Sequence, residues 1–458
     1  MEEIISKKIA VVETKSGYPD FPYEDNKFKS DILNLLESIG LDPNNPFGNY
    51  LKEGGTVLIK PNWVRDHNPK GNFESLVTHT SIIKNIMDLA AAALNGRGRI
   101  IIGDAPLQNC NFDKLLDISR IKDVVKIFSD KYPEIEVVIE DWRITTMKSS
   151  ESRESVVQIQ KISENDAKIK DYSLIDLAND SFLEEISNKA NLFRVTKYKP
   201  SLLKKHHHKG RHEYLVTKRI FEADLIINIP KLKTHIKAGL TGALKNLVGI
   251  NGHKEFLPHH MKGSAEEGGD NYKHKNYLRS KYEDVYDYLW ENFNNISVWK
   301  RRFLIRLVRT LEALSIIFGK EGITAGSWPG NDTIWRTTLD LNHILYFEGK
   351  PKKILNIVDG IVAGEGNGPL EPEANTLGLM IAGENPALVD AVISKVIGYN
   401  IFNIKTVNNA LNNILSKFKI ENLNNVVISW ISRDKVDQIT LESVVSRNFK
   451  KPRYWEAE

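Results

Sequence analysis

Short runs of apolar residues alternate with amphipathic stretches along the first third of the chain. The apolar runs lie at residues 8–13, 56–61, 99–105 and 136–140, and each is typical of a buried strand. Apolar residues at helical spacing predict helices over 28–39, 80–93 and 121–128 between them. Continuous apolar strands joined by helices are typical of a parallel sheet that is covered on both faces. We therefore expect an α/β fold with a Rossmann-like parallel sheet.

The pattern changes after this first region. Residues from 149 onward are polar and hold short alternating stretches such as 213–217, which predicts a β-rich insertion. The predicted divisions are an N-terminal α/β region (1–148), the insertion (149–218), a site-bearing segment that completes the α/β core (219–275), a helical cover (276–348) and a smaller C-terminal α/β region (349–458).

One predicted helix of the cover is strongly cationic. Residues 299–318 place Arg306 and Arg309 among apolar residues at helical spacing. Packing against the domain is the first interpretation, and contact with an anionic membrane surface is the alternative. The chain has no run of 18 apolar residues, so no membrane-spanning helix is expected.

Composition narrows the possible functions. The formal net charge of +4 over 458 residues does not favour a nucleic-acid partner. The single cysteine, Cys110, excludes a disulfide framework and a cysteine-ligated iron–sulfur cluster. The first residues lack the order of a signal peptide, so we expect a cytoplasmic protein.

The most informative segment follows the apolar run 223–230. A strand that ends at Pro230 would deliver Lys231, Lys233 and His235 to the carboxyl edge of the sheet, where open α/β sheets bind ligands. Small residues at 239–243 would then let the backbone approach an anion or begin a helix that carries Lys245.

Titratable side chains are concentrated here. A desolvated Lys245 could have a lowered pKa and act as a base, a covalent anchor or a phosphate clamp. His235, His259 and His260 could serve as acid, base or metal ligands. The alternative is that the lysines are solvated and the histidines bond to backbone carbonyls.

Other candidates lie at strand ends and tight turns. Asp104 follows a buried strand and could bind a metal or substrate hydroxyls, or cap the next helix. The turn at 330–333 could clamp an anion or stack on a sugar with its neighbours, or act as a helix cap. The histidine tract 206–212 is interpreted as a polar loop with adventitious metal binding. The further predicted substrate-binding residues are Lys60, Asn62, Arg65, Asn246, Lys254, Asn331, Asp332, Arg336 and Asp359.

Several motifs resemble one family across residues 55–400. These are Lys-Pro-Asn at 60–62, Asn-Ile-Pro-Lys-Leu-Lys-Thr-His at 228–235, Leu-Thr-Gly-Ala-Leu-Lys-Asn at 240–246, Val-Asp-Gly at 358–360 and Val-Asp-Ala at 389–391. The chain is identified by them as a member of the family catalogued as domain of unknown function 362. Leu-Pro-His-His at 257–260 and Gly-Asn-Asp-Thr-Ile-Trp-Arg at 330–336 resemble marks of one branch. Many relatives carry ferredoxin-type cysteine clusters, which this chain lacks.

A more distant resemblance is to the lactate racemase family. His235 precedes Lys245 by ten residues and His260 follows it by fifteen, similar to the spacing around the lysine that holds a nickel-pincer cofactor in that family. The resemblance implies that Lys245 anchors the cofactor and that His235 and His260 act as metal ligands or proton-transfer groups. The segment 103–106 lacks the family's histidine and arginine, and at 61–65 only Arg65 is comparable.

The sequence thus predicts an enzyme that transfers a proton or hydride on a small hydroxylated or anionic substrate, with sugar derivatives among the candidates, as a racemase or epimerase does. A divalent metal held by the histidines is the candidate cofactor. The alternatives are a non-catalytic protein that binds a nucleotide or lipid-linked sugar, and a membrane-surface accessory protein.

Overall fold

One 11-stranded sheet runs through the part of the chain that the structure describes. The structure is a computed structural model and describes residues 5–14, 17–149, 159–319, 325–350, 352–433 and 435–455. The strands are β1 (Ile9–Glu13), β2 (Thr56–Pro61), β3 (Gly98–Asp104), β4 (Ile135–Asp141), β5 (Thr145–Ser149), β6 (Ile159–Glu164), β7 (Tyr172–Asp176), β8 (Phe193–Arg194), β9 (His207–His208), β10 (Arg211–Thr217), β11 (Leu225–Ile229), β12 (Lys231–His235), β13 (Gly239–Thr241), β14 (His260–Met261), β15 (Lys353–Asn367), β16 (Glu371–Gly383), β17 (Val427–Ser432) and β18 (Lys435–Thr440). The helices are α1 (Asn26–Ser38), α2 (Thr80–Ala93), α3 (Phe112–Ile118), α4 (Ile121–Lys131), α5 (Pro200–His206), α6 (Arg219–Glu222), α7 (Ala243–Asn246), α8 (Tyr277–Glu291), α9 (Val298–Gly319), α10 (Ile334–Phe347), α11 (Pro386–Val396) and α12 (Lys405–Asn412).

The large sheet is mostly parallel. Its strands follow the order β18-β17-β1-β16-β15-β11-β2-β3-β4, and β12 and β13 join through β15. The strands from β15 through β11, β2 and β3 to β4 are all parallel. Antiparallel pairs occur where β16 meets β1 and β15, between β17 and β18, and between β12 and β13. β15 and β16 pair in this way because a short hairpin joins them rather than a crossover. The predicted α/β fold with a large parallel sheet is confirmed, with this antiparallel part added.

Both faces of the central parallel strands β2 and β11 are buried, as the apolar runs predicted. Val57 and Ile59 of β2 pack into the same core as helices α1 to α4. Leu58 between them points to the opposite core, which includes Leu341 of α10. Since alternate residues of a strand face opposite sides, a strand covered on both faces needs an uninterrupted apolar sequence.

The later regions are built around this sheet. Residues 172–217 supply β7, β9 and β10, which form a separate three-stranded sheet. Residues 353–440 supply β15 to β18 to the large sheet itself. β15 extends to Asn367, and a short hairpin connection leads from it into β16. The five domain boundaries stay predictions.

Helices α8 and α9 pack as a pair. Their shared apolar cluster includes Leu289 and Trp290 of α8 and Leu304, Ile305 and Val308 of α9. Within the described part of the chain, no helix has the length and apolar character needed to cross a bilayer.

Candidate functional site

The site-bearing segment turns sharply after β11. β12 runs parallel to the second half of β15 and then pairs back on β13, with His235 opposite Gly239. Gly239 has φ +82, and a Cβ there would lie 2.6 Å from Ile404 Cδ1, so glycine is required at this turn. The turn directs the chain back toward the sheet and into α7.

Asp390 fixes the start of α7. Its Oδ1 accepts a hydrogen bond from the backbone N–H of Ala243 at 2.6 Å, and its Oδ2 accepts one from Leu244 at 3.1 Å. A Cβ on Gly242 would come within 2.1 Å of Asp390 Oδ1, so only glycine leaves room for this carboxylate. The contact explains why the Gly-Ala-Leu-Lys and Val-Asp-Ala motifs occur together, and it positions Lys245.

A cavity of about 390 Å³ opens beside α7. This volume suits a small organic ligand. Five lysines line the cavity together with three histidines; these are Lys197, Lys233, Lys237, Lys245 and Lys254, with His235, His253 and His259. The walls also include apolar side chains such as Trp63, Leu107 and Met147. The cavity therefore combines a dense group of basic side chains with an apolar surface.

Acidic groups do not balance these lysines. Asp104 is the one carboxylate among the described cavity-lining residues, and its Oδ1 lies 2.7 Å from the Nζ of the buried Lys60. It also accepts hydrogen bonds from the backbone N–H groups of Trp63 and Ala105. A Cβ on Gly249 would lie 2.2 Å from Asp104 Oδ1, so glycine lets the backbone cover the pair closely. Asp104 and Lys60 thus support the cavity wall, and their mutual neutralisation leaves the lysine charge uncompensated.

Lys245 differs from the other lysines in its contacts. Its ammonium has neither a hydrogen bond nor an ion pair with any residue in the described ranges. Burial, followed by repulsion from Lys237, lowers the pKa of Lys245 to about 8. A lysine of this kind holds a substantial neutral fraction near physiological pH and can act as a base, a nucleophile or an anion ligand.

The neighbouring lysines are each held by one carbonyl. Lys233 donates to Leu76 O at 2.6 Å, Lys237 to Ala325 O at 2.5 Å and Lys254 to Thr196 O at 3.1 Å. Burial lowers the pKa of Lys237 to about 8, and burial with repulsion from Lys197 and Lys237 lowers that of Lys254 to about 7. Since an ammonium has three donors, each of these side chains keeps donor capacity for an anion.

The two histidines beside Lys245 present different nitrogens. His235 Nδ1 accepts hydrogen bonds from the N–H groups of Lys237 and Ala238, at 3.0 and 3.2 Å, so the neutral ring carries its proton on Nε2. His259 Nδ1 lies 2.7 Å from Leu257 O and must donate to it, which leaves the lone pair on Nε2. Burial, and next the charge of Lys245, hold both pKa values well below the usual value. His235 is therefore a donor and His259 an acceptor.

Several polar atoms at the cavity have unused hydrogen-bonding capacity. Asn62 Oδ1, Thr241 Oγ1 and both amide atoms of Gln108 are buried and have no hydrogen-bond partner among the described residues. Asn62 is oriented by Asn246, which accepts from its Nδ2 at 2.9 Å and itself donates to Asn228 Oδ1 at 2.7 Å. Because unpaired buried polar groups are costly, these atoms favour a ligand with hydroxyl or similar groups.

The structure places the sequence-predicted residues in three groups. Those that line the cavity are Asn62, Asp104, Lys233, His235, Lys245, Asn246, Lys254 and His259. Lys60 lies directly behind the wall, through Asp104. The others, which are outside the lining, are Arg65, Lys231, His260, Asn331, Asp332, Arg336 and Asp359.

Lys231 and Asp359 form a separate buried pair. Their Nζ and Oδ2 atoms are 2.8 Å apart, and Tyr18 donates to Asp359 Oδ1 at 2.5 Å. His79 stacks on Tyr18 with ring centroids 3.7 Å apart. This cluster ties β12 and β15 to the N-terminal segment and does not supply cavity-lining groups.

The turn at 330–333 supports the histidine loop from outside. Asn331 Nδ2 donates to His259 O at 2.9 Å, and Asn331 Oδ1 accepts from the N–H groups of Thr333 and Ile334. Asp332 and Arg336 pair with each other at 2.9 Å. The two branch motifs are therefore in contact, and Asn331 holds the histidine loop and caps α10 from outside the cavity lining.

Of the predicted group His235, Lys245 and His260, one member does not line the cavity. His260 lies in β14 opposite Arg194, and the strand directs it away from the cavity while His259 faces in. Arg65 is buried outside the lining and contacts His67. No three His, Cys, Asp or Glu side chains in the described ranges are arranged to hold a metal ion. With His260 and Arg65 elsewhere, the residues do not fit the nickel-pincer arrangement, and the metal set of His235, His259 and His260 has no geometric support.

The histidine tract 206–212 is not the polar loop that the sequence suggested. His207 and His212 are fully buried, and His212 Nε2 lies 3.0 Å from Glu184. His206 Nδ1 lies 2.7 Å from Glu213, and hydrogen bonds to Glu255 and Glu213 outweigh burial and raise its pKa. These histidines tie α5, β9 and β10 to the other parts of the same insertion.

Sequence reasoning missed four basic cavity residues. Lys197, Lys237 and His253 line the cavity, as does Arg143, whose guanidinium pairs with Asp141 at 2.6 Å. Lys237 stands two residues after His235 and could have been included from its position. Nothing local in the sequence marks Lys197 or Arg143, which are brought in by the fold.

Comparison with protein-family models decides the family. The model described as Domain of unknown function (DUF362) matches residues 162–395, which is more than half of the chain. The chain belongs to this family. The matched range contains the whole segment from β11 to β14 and the turn that supports it. The membership itself assigns no activity.

Other comparisons add less. No curated protein matches the chain. Among solved structures, the chain is similar to the crystal structure of a Thermotoga maritima protein, a Northeast Structural Genomics Consortium target, at 12% identity and a TM-score of 0.31. The match covers 78% of this chain and 56% of that one, so the chain spans little more than half of the solved protein.

Proposed function

We propose that this protein is an enzyme that binds a small, hydroxylated organic anion in the lysine-lined cavity and moves a proton on it, as a racemase or epimerase does. The observation that carries the proposal is the convergence of five lysines on one cavity whose single described carboxylate is already paired.

The charge of the cavity supports an anionic ligand. Lys237, Lys245 and Lys254 have lowered pKa values because they are desolvated near one another. A carboxylate or phosphate among them would restore the favourable interactions that burial removes. Pairing with the ligand would therefore raise these pKa values and draw protons into the site.

The uncharged groups support a hydroxylated ligand. The unused atoms of Asn62, Thr241 and Gln108 can accept from or donate to hydroxyl groups. The apolar walls, with Trp63 and Leu107, would bury the carbon skeleton. Sugar acids, hydroxy acids and sugar phosphates share these chemical features.

The proton step is assigned to Lys245 and His259. Lys245, protonated by its contact with the anion, would be the general acid, and its pKa of about 8 lies close to the range in which such groups are effective. His259 offers an unprotonated Nε2, while His235 offers an Nε2–H that can hydrogen-bond to charge developing on a substrate oxygen. One base, one acid and one hydrogen-bond donor are the groups that proton removal and return beside a carbonyl or carboxylate require.

The test is deuterium exchange from solvent. Hydroxy acids, sugar acids and sugar phosphates are incubated with the protein in D₂O, and loss of a carbon-bound proton is followed by NMR. We expect exchange into at least one substrate, with the rate lowered by about 100-fold or more in Lys245→Met and His259→Gln. Lys209→Met, at an exposed position, is the matched control.

Two results would contradict the proposal. Exchange at the wild-type rate in both variants would show that Lys245 and His259 do not transfer the proton. Tight binding of these anions without any exchange would instead favour the non-catalytic alternative, a protein that holds an anionic ligand.

A further inference from the structure

Helix α9 exposes large apolar side chains near both of its ends. Trp299 and Phe303 are 74% and 58% exposed near the first turn, and Ile317 and Phe318 are 69% and 74% exposed in the last. Aromatic and branched side chains of this size are rarely left in water in such a concentration.

Three arginines lie between these apolar groups. Arg302, Arg306 and Arg309 are exposed, and none forms an ion pair with any residue in the described part of the chain. At 100° per residue they fall on the same face as Trp299 and Ile317. α9 has five basic residues and one acidic residue, the half-buried Glu312, so its outer face is cationic.

The opposite face of α9 packs against α8. Leu304, Ile305 and Val308 are buried against Leu289 and Trp290 of α8. The outer face therefore contributes little to the core, and the folded protein does not account for its apolar residues.

We propose that the outer face of α9 docks on an anionic phospholipid bilayer. A helix with aromatic and branched residues beside arginines can insert its apolar groups at the headgroup boundary while the guanidinium groups pair with lipid phosphates. A second copy of the chain is a poorer occupant, because a symmetric contact would bring the arginines of both copies together.

Docking would bring the membrane close to the cavity. Met147 packs in the same cluster as α8 and α9 and also lines the cavity. The backbone N–H of Lys197, another lining residue, donates to Tyr286 of α8 at 3.1 Å. The helical pair is thus in direct contact with one cavity wall. The docking inference does not depend on the proposed proton transfer.

The test is cosedimentation of the full chain with vesicles. We expect binding to vesicles that contain phosphatidylserine in phosphatidylcholine, and binding at least about tenfold weaker with phosphatidylcholine alone. The variant Arg302→Glu/Arg306→Glu/Arg309→Glu should bind about 100-fold more weakly. The control Lys126→Glu/Lys204→Glu/Lys209→Glu makes the same change in net charge at exposed sites elsewhere and should retain most of the binding.

Two further measurements keep the inference testable if the triple variant is poorly folded. Phe303→Ser/Ile317→Ser leaves the charge unchanged and should still lose binding. Vesicles should shift the tryptophan emission to the blue, and this shift should shrink in Trp299→Phe, which still sediments with them. Equal binding by the arginine variant and its control would overturn the inference. The inference would also be overturned if the wild type did not bind vesicles and instead formed a concentration-dependent dimer that the α9 variants abolish.

Discussion

Replacement of Lys245 by methionine should stabilise the fold. Methionine keeps the length of the side chain and removes an ammonium that has no ion-pair partner in the described structure. Burial lowers the pKa of Lys245 to about 8, which corresponds to roughly 3 kcal/mol of unfavourable interaction at 1.36 kcal/mol per pKa unit. Lys245 is only half-buried and faces a cavity open to solvent, so we expect about 1–2 kcal/mol.

The size of this stabilisation depends on pH. The folded-state pKa of Lys245 lies below its unfolded value, so the wild type gains stability as pH rises from about 8 toward 10. The advantage of Lys245→Met should therefore be largest below pH 8 and fall to zero above about pH 10. Urea unfolding at several pH values measures this difference directly.

The same variant should lose anion affinity. A charge-assisted hydrogen bond from Lys245 to a carboxylate or phosphate contributes roughly 2–3 kcal/mol, which is about 30- to 150-fold in Kd. Calorimetric titration with citrate as the probe measures this loss of affinity, with Lys209→Met as the control. The reasoning is refuted if Lys245→Met is less stable than the wild type and binds citrate equally well.

Three further predictions concern the same site. Citrate affinity should fall as pH rises from about 7 to 9, because Lys254, with a pKa of about 7, and Lys237, with a pKa of about 8, lose the protons that hold the anion; an affinity independent of pH would contradict this. Asp104→Asn should cost about 3–5 kcal/mol in urea unfolding, since it leaves the buried Lys60 without its counter-charge, and Lys60→Met in the same chain should recover part of the loss. Asp390→Ala should cost about 2–4 kcal/mol by removing the acceptor of two buried N–H groups, whereas a loss below 1 kcal/mol would show that α7 begins without it.

The sequence was sufficient for the features that depend on local pattern. The uninterrupted apolar runs around Val57 and Ile226 predicted a sheet covered on both faces, and the two cores confirm it. Lys245 could be placed because Gly242 and the residues after it predict a turn followed by a helix. Both results follow from properties of neighbouring residues.

Other features depend on register and on distant contacts. Whether His259 or His260 faces the cavity is set by the pairing of His260 with Arg194, and a shift of one residue would exchange them. Asn331 holds His259 O from 72 residues away, a supporting contact that no local pattern reveals. Lys197 likewise reaches the cavity only through the folded insertion.

The antiparallel part of the sheet could also not be predicted from local sequence pattern. Apolar runs predict strands but not their direction, and β15 pairs with β16 through a hairpin while β11 on its other side is parallel. The long reach of β15 to Asn367 follows from its pairing with β16, which extends to Asn367, while β12 pairs with part of its second half. Strand direction is decided by these tertiary pairings.

The claim that the lysine cavity binds an anion is tested most directly by proton-linked calorimetry. Pyrophosphate is titrated into the wild-type protein near neutral pH in two buffers that differ in ionisation enthalpy. We predict binding with net proton uptake, because the anion raises the lowered pKa values of Lys237, Lys245 and Lys254. Absence of binding, or binding with the same heat in both buffers, would contradict the account.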